Sequence, residues 1–164
     1  MMKKILMLLL VSSLVFNAFS QEHEHHNEEH EQEHHHVHEI GVSVAPVYYT
    51  KAGELSTATH FHYTYNFPQT GFGLGIGYER IFDDHKHNFV GAELSYRIVH
   101  PLSLSLSPGV AFEGDHPDEK EFALHFETVY EFEVGAFHIG PVMEMAYHPE
   151  DFHVSLGVHI GLGF

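Results

Sequence analysis

The chain has 164 residues, a length that fits one domain, and its 23 acidic residues against seven lysines and arginines give a formal net charge of −16. This charge excludes nucleic acid as a partner, because nucleic-acid binding depends on neutralising phosphates, and it favours cationic partners. The absence of cysteine excludes a disulfide framework, a thiolate metal site and a lipidated N-terminal cysteine.

Residues 1–20 have the pattern of a cleavable export signal. Lys3 and Lys4 precede an apolar run over Ile5–Phe16. The small residues of Ala18–Ser20 then stand where a signal peptidase cuts. The apolar run is too short to cross a bilayer as a helix, which needs about 20 residues. We expect removal of residues 1–20 on export; the alternative is an uncleaved anchor.

Residues 21–38, the histidine tract, combine eight histidines with six glutamates, and Val37 is the only apolar side chain among them. The histidines are His23, His25, His26, His30, His34, His35, His36 and His38. The tract cannot bury enough apolar surface to fold, so we expect it to be disordered. Imidazole is the commonest protein ligand of zinc, copper and nickel, and carboxylates can complete the shell. We predict several divalent transition-metal sites; the alternative is an inert, solvated spacer.

From Glu39 to Phe164, apolar and polar residues alternate with a period of two, which predicts β-strands. The alternation is unbroken over Phe152–Phe164, which is longer than the usual strand of about 5–6 residues and fits a tilted membrane strand. The predicted strands are Glu39–Thr50, Ala58–Phe67, Phe72–Phe82, His87–Val99, Leu102–Gly114, Glu121–Val134, Phe137–His148 and Phe152–Phe164.

One face of each predicted strand is apolar, and the other carries Gly, Ser, His or Glu. This pattern indicates an all-β, eight-stranded antiparallel up-and-down transmembrane β-barrel with lipid outside and a polar lumen. Short turns alternate with longer polar loops, which places both termini, and with them the histidine tract, in the periplasm. Aromatic residues near strand ends are expected to form the interfacial girdles. They are Tyr48, Tyr65, Phe67, Phe72, Phe82, Tyr147 and Phe164.

The final alternation, Val158-x-Ile160-x-Leu162-x-Phe164, is similar to the C-terminal signal that the barrel-assembly machinery recognises. With the eight-strand pattern, it makes Glu39–Phe164 resemble the small outer-membrane barrels, such as OmpX and the transmembrane domain of outer membrane protein A. The resemblance implies a monomer in the outer membrane, in contact with lipopolysaccharide. The alternative is a soluble lipocalin-like barrel, whose apolar face would point inward around a ligand.

The predicted lumen contains more acid than base. Arg97 is the inward cation, and we expect it to pair with Glu93, four residues away on the same face. The inward carboxylates are Glu79, Glu93, Glu127, Glu131 and Glu144. An eight-stranded barrel is just wide enough for side chains to fill, so these groups are expected to form a hydrogen-bonded plug. The surplus of carboxylates requires protons, water or a cation.

Seven inward histidines accompany these carboxylates: His60, His62, His125, His138, His148, His153 and His159. His148 and His153 flank one short loop, so we expect them to approach each other and to form a second metal site, with the loop residues His85, His87 and His116 nearby. The alternative is polar filling of the lumen. Arg80 is expected at the outer rim, either bound to lipopolysaccharide phosphate or turned inward by a bulge.

These features predict a non-enzymatic outer-membrane protein whose tract binds divalent transition metals (Zn, Cu or Ni) for sequestration, resistance or delivery, without an organic cofactor. One alternative is a structural or adhesive barrel with an inert tail. Another is an enzyme that modifies lipid A through His153 and Ser155 with Glu144. Residues two apart on a strand lie about 6–7 Å apart at Cα, however, which is unfavourable for a nucleophile and its base.

Overall fold

A computed structural model describes residues 36–149 and 151–164 of the chain. The predicted signal over residues 1–20 and the histidine tract before His36 lie outside this range, so the expectations placed on them stay predictions. Within the described residues, no helix is long and apolar enough to cross a membrane.

The described chain is built from antiparallel β-strands that follow one another around a closed wall. The strands are β1 (His38–Tyr49), β2 (Leu55–Asn66), β3 (Phe72–Ile81), β4 (His87–Val99), β5 (Leu102–Glu113), β6 (Lys120–Tyr130), β7 (Phe132–Val134), β8 (Phe137–Tyr147) and β9 (Phe152–Gly163). The wall closes because β1 pairs with both β2 and β9, while β6 and β7 both pair with β8. Since β6 and β7 are two parts of one barrel strand, the predicted eight-stranded barrel is confirmed.

The predicted strand Glu121–Val134 is interrupted in the structure. Its ladder with β8 runs as far as the pair Val129 and Val142 and resumes at Phe132 with the same register. At the interruption, a Cβ on Gly140 would overlap the carbonyl oxygen of Tyr130. Only glycine therefore permits this close backbone approach. A contact between two strands leaves no trace in the period of either one, so the alternation could not predict it.

The apolar face of the wall points outward, as predicted. Leu156, Val158 and Ile160 are 46–51% exposed, whereas His153 and His159 on the same strand are 3% and 0% exposed. All seven residues predicted for the aromatic girdles are exposed as well. The lipocalin-like alternative required the opposite arrangement and is wrong, because most of the large apolar side chains line the outside.

The two ends of the barrel differ. His38 and Phe164 exchange backbone hydrogen bonds of 2.9 Å, so the beginning of β1 and the end of β9 lie at the same end, together with the short turns. We call this end the base and the opposite end, with the longer loops, the mouth. The first loop at the mouth is shorter than predicted, since β2 begins at Leu55.

Candidate metal-binding lumen

Glycines on the inner wall make room for imidazole rings. A Cβ on Gly77 would overlap the ring of His60, and a Cβ on Gly161 would overlap the ring of His138. Both glycines stand on strands next to those that carry the histidines, with their Cα hydrogens facing the lumen. Gly77 and Gly161 therefore make it possible to seat large polar side chains inside a narrow barrel.

The lumen contains four groups of three side chains whose ligand atoms all lie within 4.8 Å of one another. From mouth to base they are Glu79, His125 and His153; His60, Glu127 and Glu144; His60, His62 and Glu93; and Glu39, His138 and His159. The groups are connected. His60 belongs to two of them, and Nε2 of His62 lies 3.3 Å from Oε1 of Glu39 in the group at the base. Imidazole and carboxylate in such groups are the donor types that bind divalent transition metals.

Several buried polar atoms of these groups have no hydrogen-bond partner among the described residues. They are Nε2 of His60, Nδ1 of His62, Oε2 of Glu93, Nδ1 of His125, Oε1 of Glu144, both ring nitrogens of His153, and Nε2 of His159. Buried polar atoms in proteins are nearly always partnered, because an unmet donor or acceptor costs about 1–3 kcal/mol. These atoms therefore require water or a bound cation.

Among the described residues, the lumen holds fewer permanent positive charges than carboxylates. Among its described residues, Arg97 is the guanidinium that meets a buried carboxylate: its Nη2 lies 3.3 Å from Oε2 of Glu131. Ser103 donates to the other oxygen of Glu131 at 3.0 Å. The predicted pair of Arg97 with Glu93 is wrong, because four residues along a strand span about 13 Å. Glu93 instead accepts a hydrogen bond of 3.1 Å from Thr64.

Substituting Arg97→Gln should lower the free energy of unfolding by about 2 kcal/mol. Breaking a buried ion pair costs about 3–5 kcal/mol, and the cost here is discounted because the Arg97 side chain is 26% exposed. Urea unfolding of the parent and the variant in lipid vesicles measures this loss of stability. The matched control is the double variant Arg97→Gln, Glu131→Gln, which should recover most of the loss because the carboxylate that Arg97 compensates is removed as well. A double variant that is as unstable as the single one would contradict the pairing.

The two histidines predicted to share a site at the mouth have different surroundings. His153 belongs to the group with Glu79 and His125. The ring of His148 lies 5.9 Å from that of His87, and its Nδ1 lies 3.8 Å from Glu121. None of the four groups of described residues includes His148, so its role as a ligand stays a prediction.

Asp83, in the loop between β3 and β4, connects the ends of β1 and β4 at the mouth. The carboxylate of Asp83 accepts hydrogen bonds from the Tyr49 hydroxyl at 2.8 Å and from the His87 amide at 3.1 Å. Burial alone would raise the pKa of Asp83, but the bonds from the His87 side chain and from Tyr49 outweigh it and hold the pKa below its ordinary value. A depressed pKa contributes stability above the pKa of the unfolded chain, and this stability is lost as the pH falls through the folded pKa.

Arg80 stays at the rim of the mouth. Its Nη1 donates to the backbone oxygen of Lys86 at 3.0 Å and to Oδ1 of Asn88 at 2.7 Å. The strand register is unbroken at Arg80, so no bulge turns this side chain inward. Contact with lipopolysaccharide phosphate stays a prediction.

The lipid A-modifying alternative depended on His153 and Ser155. Both ring nitrogens of His153 lack a hydrogen-bond partner, so this histidine does not take a proton from the Ser155 hydroxyl in the described arrangement. Nε2 of His153 faces Glu79 at 3.7 Å and Glu144 at 3.6 Å instead. These contacts favour a cation site over a catalytic pair of Ser155 and His153.

The last two histidines of the tract lie at the base and face opposite sides of the wall. The ring of His36 lies over Gly163 and lines a cavity of about 20 Å³ with Glu39 and His138. His38 faces outward, where its Nδ1 lies 2.8 Å from the Tyr63 hydroxyl. The predicted first strand begins at Glu39, so the alternation assigned neither of these two predicted ligands to a face of the wall.

Neither a family model nor a curated protein matches the sequence. Solved structures do resemble the barrel. Neisserial surface protein A superposes with a TM-score of 0.60 at 12% identity over 77% of this chain and 97% of that one. Ail, the attachment invasion locus protein of Yersinia pestis, superposes with a TM-score of 0.55 at 16% identity, over 77% of this chain and 97% of Ail. The N-terminal β-barrel domain of Pseudomonas aeruginosa OprF superposes with a TM-score of 0.51 at 15% identity, over 77% of this chain and 97% of that domain. Together with the closed wall and its apolar outer surface, these likenesses show that the chain has the fold of the small eight-stranded outer-membrane β-barrels.

Proposed function

We propose that this chain is a non-enzymatic outer-membrane protein that binds divalent transition cations, in the lumen of its barrel and through its histidine tract. The observation that carries the proposal is the set of buried imidazole and carboxylate atoms that lack hydrogen-bond partners and stand in groups with ligand spacing. A plug built only for stability would be expected to satisfy these atoms internally.

The donor set favours one class of cation. Mg²⁺ and Ca²⁺ take oxygen ligands, whereas imidazole nitrogen suits zinc, copper, nickel and cobalt. Each group in the lumen contains at least one histidine, and three of the four contain two. The chain has no cysteine, so a site that depends on thiolates is excluded. A cation of two positive charges also offsets the carboxylates that Arg97 leaves uncompensated.

The histidine tract supplies further metal ligands at the base of the barrel in this proposal. The first described residue, His36, lines the cavity at the base with Glu39 and His138, so the tract joins the barrel next to the group at the base of the lumen. With the base in the periplasm, the tract would collect cations there, for sequestration, resistance or delivery. Insertion by the barrel-assembly machinery, contact with lipopolysaccharide and a monomeric state belong to the same proposal.

The test compares the full chain, refolded into detergent or lipid, with a full-length tract-substituted chain. That variant carries His23→Gln, His25→Gln, His26→Gln, His30→Gln, His34→Gln and His35→Gln. Calorimetric titration with Zn²⁺, Cu²⁺ and Ni²⁺ at neutral pH should give several sites in the parent and fewer, but not zero, in the variant.

Equal stoichiometry in the two chains would exclude the tract as a binding segment. Absence of binding in both would overturn the proposed function and favour the structural or adhesive alternative. Growth of cells that carry the parent or the variant as their only copy then separates two roles. Sequestration predicts that the variant tolerates excess zinc or copper less well, and delivery predicts that it grows more poorly when metal is limiting.

A further inference from the structure

Four side chains converge in the half of the lumen nearer the mouth. His125 on β6 and His153 on β9 both stand opposite Ala146 on β8, and their rings lie edge to face with centroids 5.7 Å apart. Glu144, two residues before Ala146, shares its inward face. Glu79 reaches the same place from β3, on another part of the wall.

The distances between these side chains are too long for good hydrogen bonds. Nε2 of His153 lies 3.7 Å from Oε1 of Glu79 and 3.6 Å from Oε1 of Glu144. Nδ1 of His125 lies 3.5 Å from Oε2 of Glu144. Hydrogen bonds between nitrogen and oxygen are usually 2.7–3.2 Å long. Two ligands of one tetrahedral zinc ion lie about 3.3–3.5 Å apart, because each bond is about 2.0–2.1 Å long. Glu144 faces His153 with Oε1 and His125 with Oε2, so a common ion would take one of these two oxygens. With that choice, the spacing fits ligands of a common ion better than hydrogen-bonded partners.

The rings are held in place by aromatic neighbours. His125 stacks on Phe89 with ring centroids 3.7 Å apart and an interplanar angle of 13°. His153 meets the ring of Tyr49 edge to face, with centroids 5.5 Å apart. The ligand side chains are 3–4% exposed. Rings locked by packing lose little freedom on binding, so the two histidines are preorganised.

Charge gives an independent reason for a cation here. Glu79 and Glu144 supply two carboxylates at one buried point, and neither has a lysine or arginine partner among the described salt bridges. Two carboxylates with two neutral imidazoles and one divalent ion form a complex of zero net charge. Such a complex is the favourable state in a lumen surrounded by hydrocarbon, where an uncompensated charge is costly.

We propose that Glu79, His125, Glu144 and His153 form a closed, four-ligand tetrahedral site for a single Zn²⁺-class cation. The proposal rests on the metal-binding function given above and deepens it by naming the ligands, the geometry and the class of ion. Four protein ligands leave no open position, so the site retains its ion rather than activating water. Glu144 also belongs to the group with His60 and Glu127, and a filled site therefore withdraws a ligand from that group.

Cobalt(II) tests the site, because a tetrahedral cobalt centre absorbs visible light strongly and an octahedral one weakly. In the full-length tract-substituted chain, Co²⁺ should give intense visible bands that saturate at one ion per chain and disappear when Zn²⁺ is added. If this chain, whose lumen is unchanged, gives only the weak spectrum of octahedral cobalt, the proposal is overturned.

Variants in the lumen assign the ligands. His153→Gln and Glu144→Gln should each abolish the intense bands, and His125→Gln serves where either fails to refold. The controls are Ser107→Ala, a buried lumen residue opposite His125, and His159→Gln in the group at the base; both should retain the bands. Bands that persist in folded His153→Gln would overturn the assignment. Calorimetric binding to the parent chain without a tetrahedral signal would overturn this inference alone, whereas absence of all binding would overturn the proposed function as well.

Discussion

Zinc should raise the free energy of unfolding of the tract-substituted chain by about 4 kcal/mol when free zinc exceeds the Kd about 1,000-fold. The ligands Glu79, His125, Glu144 and His153 come from four different strands, so only the folded wall brings them together. The unfolded chain lacks this arrangement, and with six histidines of the tract replaced it has less compensating affinity than the parent. Binding free energy therefore becomes folding free energy.

Urea unfolding in lipid vesicles, with and without zinc, measures this shift. The His153→Gln variant in the same background is the control and should show a much smaller shift. The shift should also depend on pH, since zinc binds neutral imidazole and ionised carboxylate, and protons compete for both. Stabilisation by zinc should accordingly be lost on acidification. A folded barrel that zinc does not stabilise at neutral pH would contradict the prediction.

Substituting Val158→Arg should lower the free energy of unfolding in a bilayer by about 2–4 kcal/mol. Val158 lies in the middle of β9 on the outer face and is 51% exposed, which is where hydrocarbon would meet it. An arginine at the bilayer midplane costs this amount because its charge leaves water for lipid.

Leu55→Arg is the matched control for this substitution. Leu55 begins β2 at the mouth and is 72% exposed, so its substitution should cost only about 0–1 kcal/mol, as at an interface. Both variants are unfolded with urea from the same vesicles as the parent. An equal loss of unfolding free energy at the two positions would mean that lipid does not surround the middle of the barrel as the fold suggests.

The sequence determined the wall of the barrel, because alternation is a local property of a strand. Each inward or outward assignment follows from its neighbours in the chain, as in β9, where His153 and His159 are buried and Leu156 is exposed. The number of barrel strands and the shared end of β1 and β9 follow from the same pattern and from the turns between strands. Strand ends were accurate where a turn is sharp, as at Phe72 and Val99, and less so at Leu55.

Only the tertiary structure decided which inward residues meet. The sequence paired Arg97 with Glu93 on one strand, whereas the closed wall places it beside Glu131. Glu79 reaches His153 from β3 in the same way, although nothing in either strand indicates it. Contacts across a lumen depend on the stagger of the strands and on closure of the sheet, which are properties of the whole barrel. The alternation therefore specifies a polar lumen rich in histidine and glutamate, and the geometry of closure turns that composition into groups of ligands.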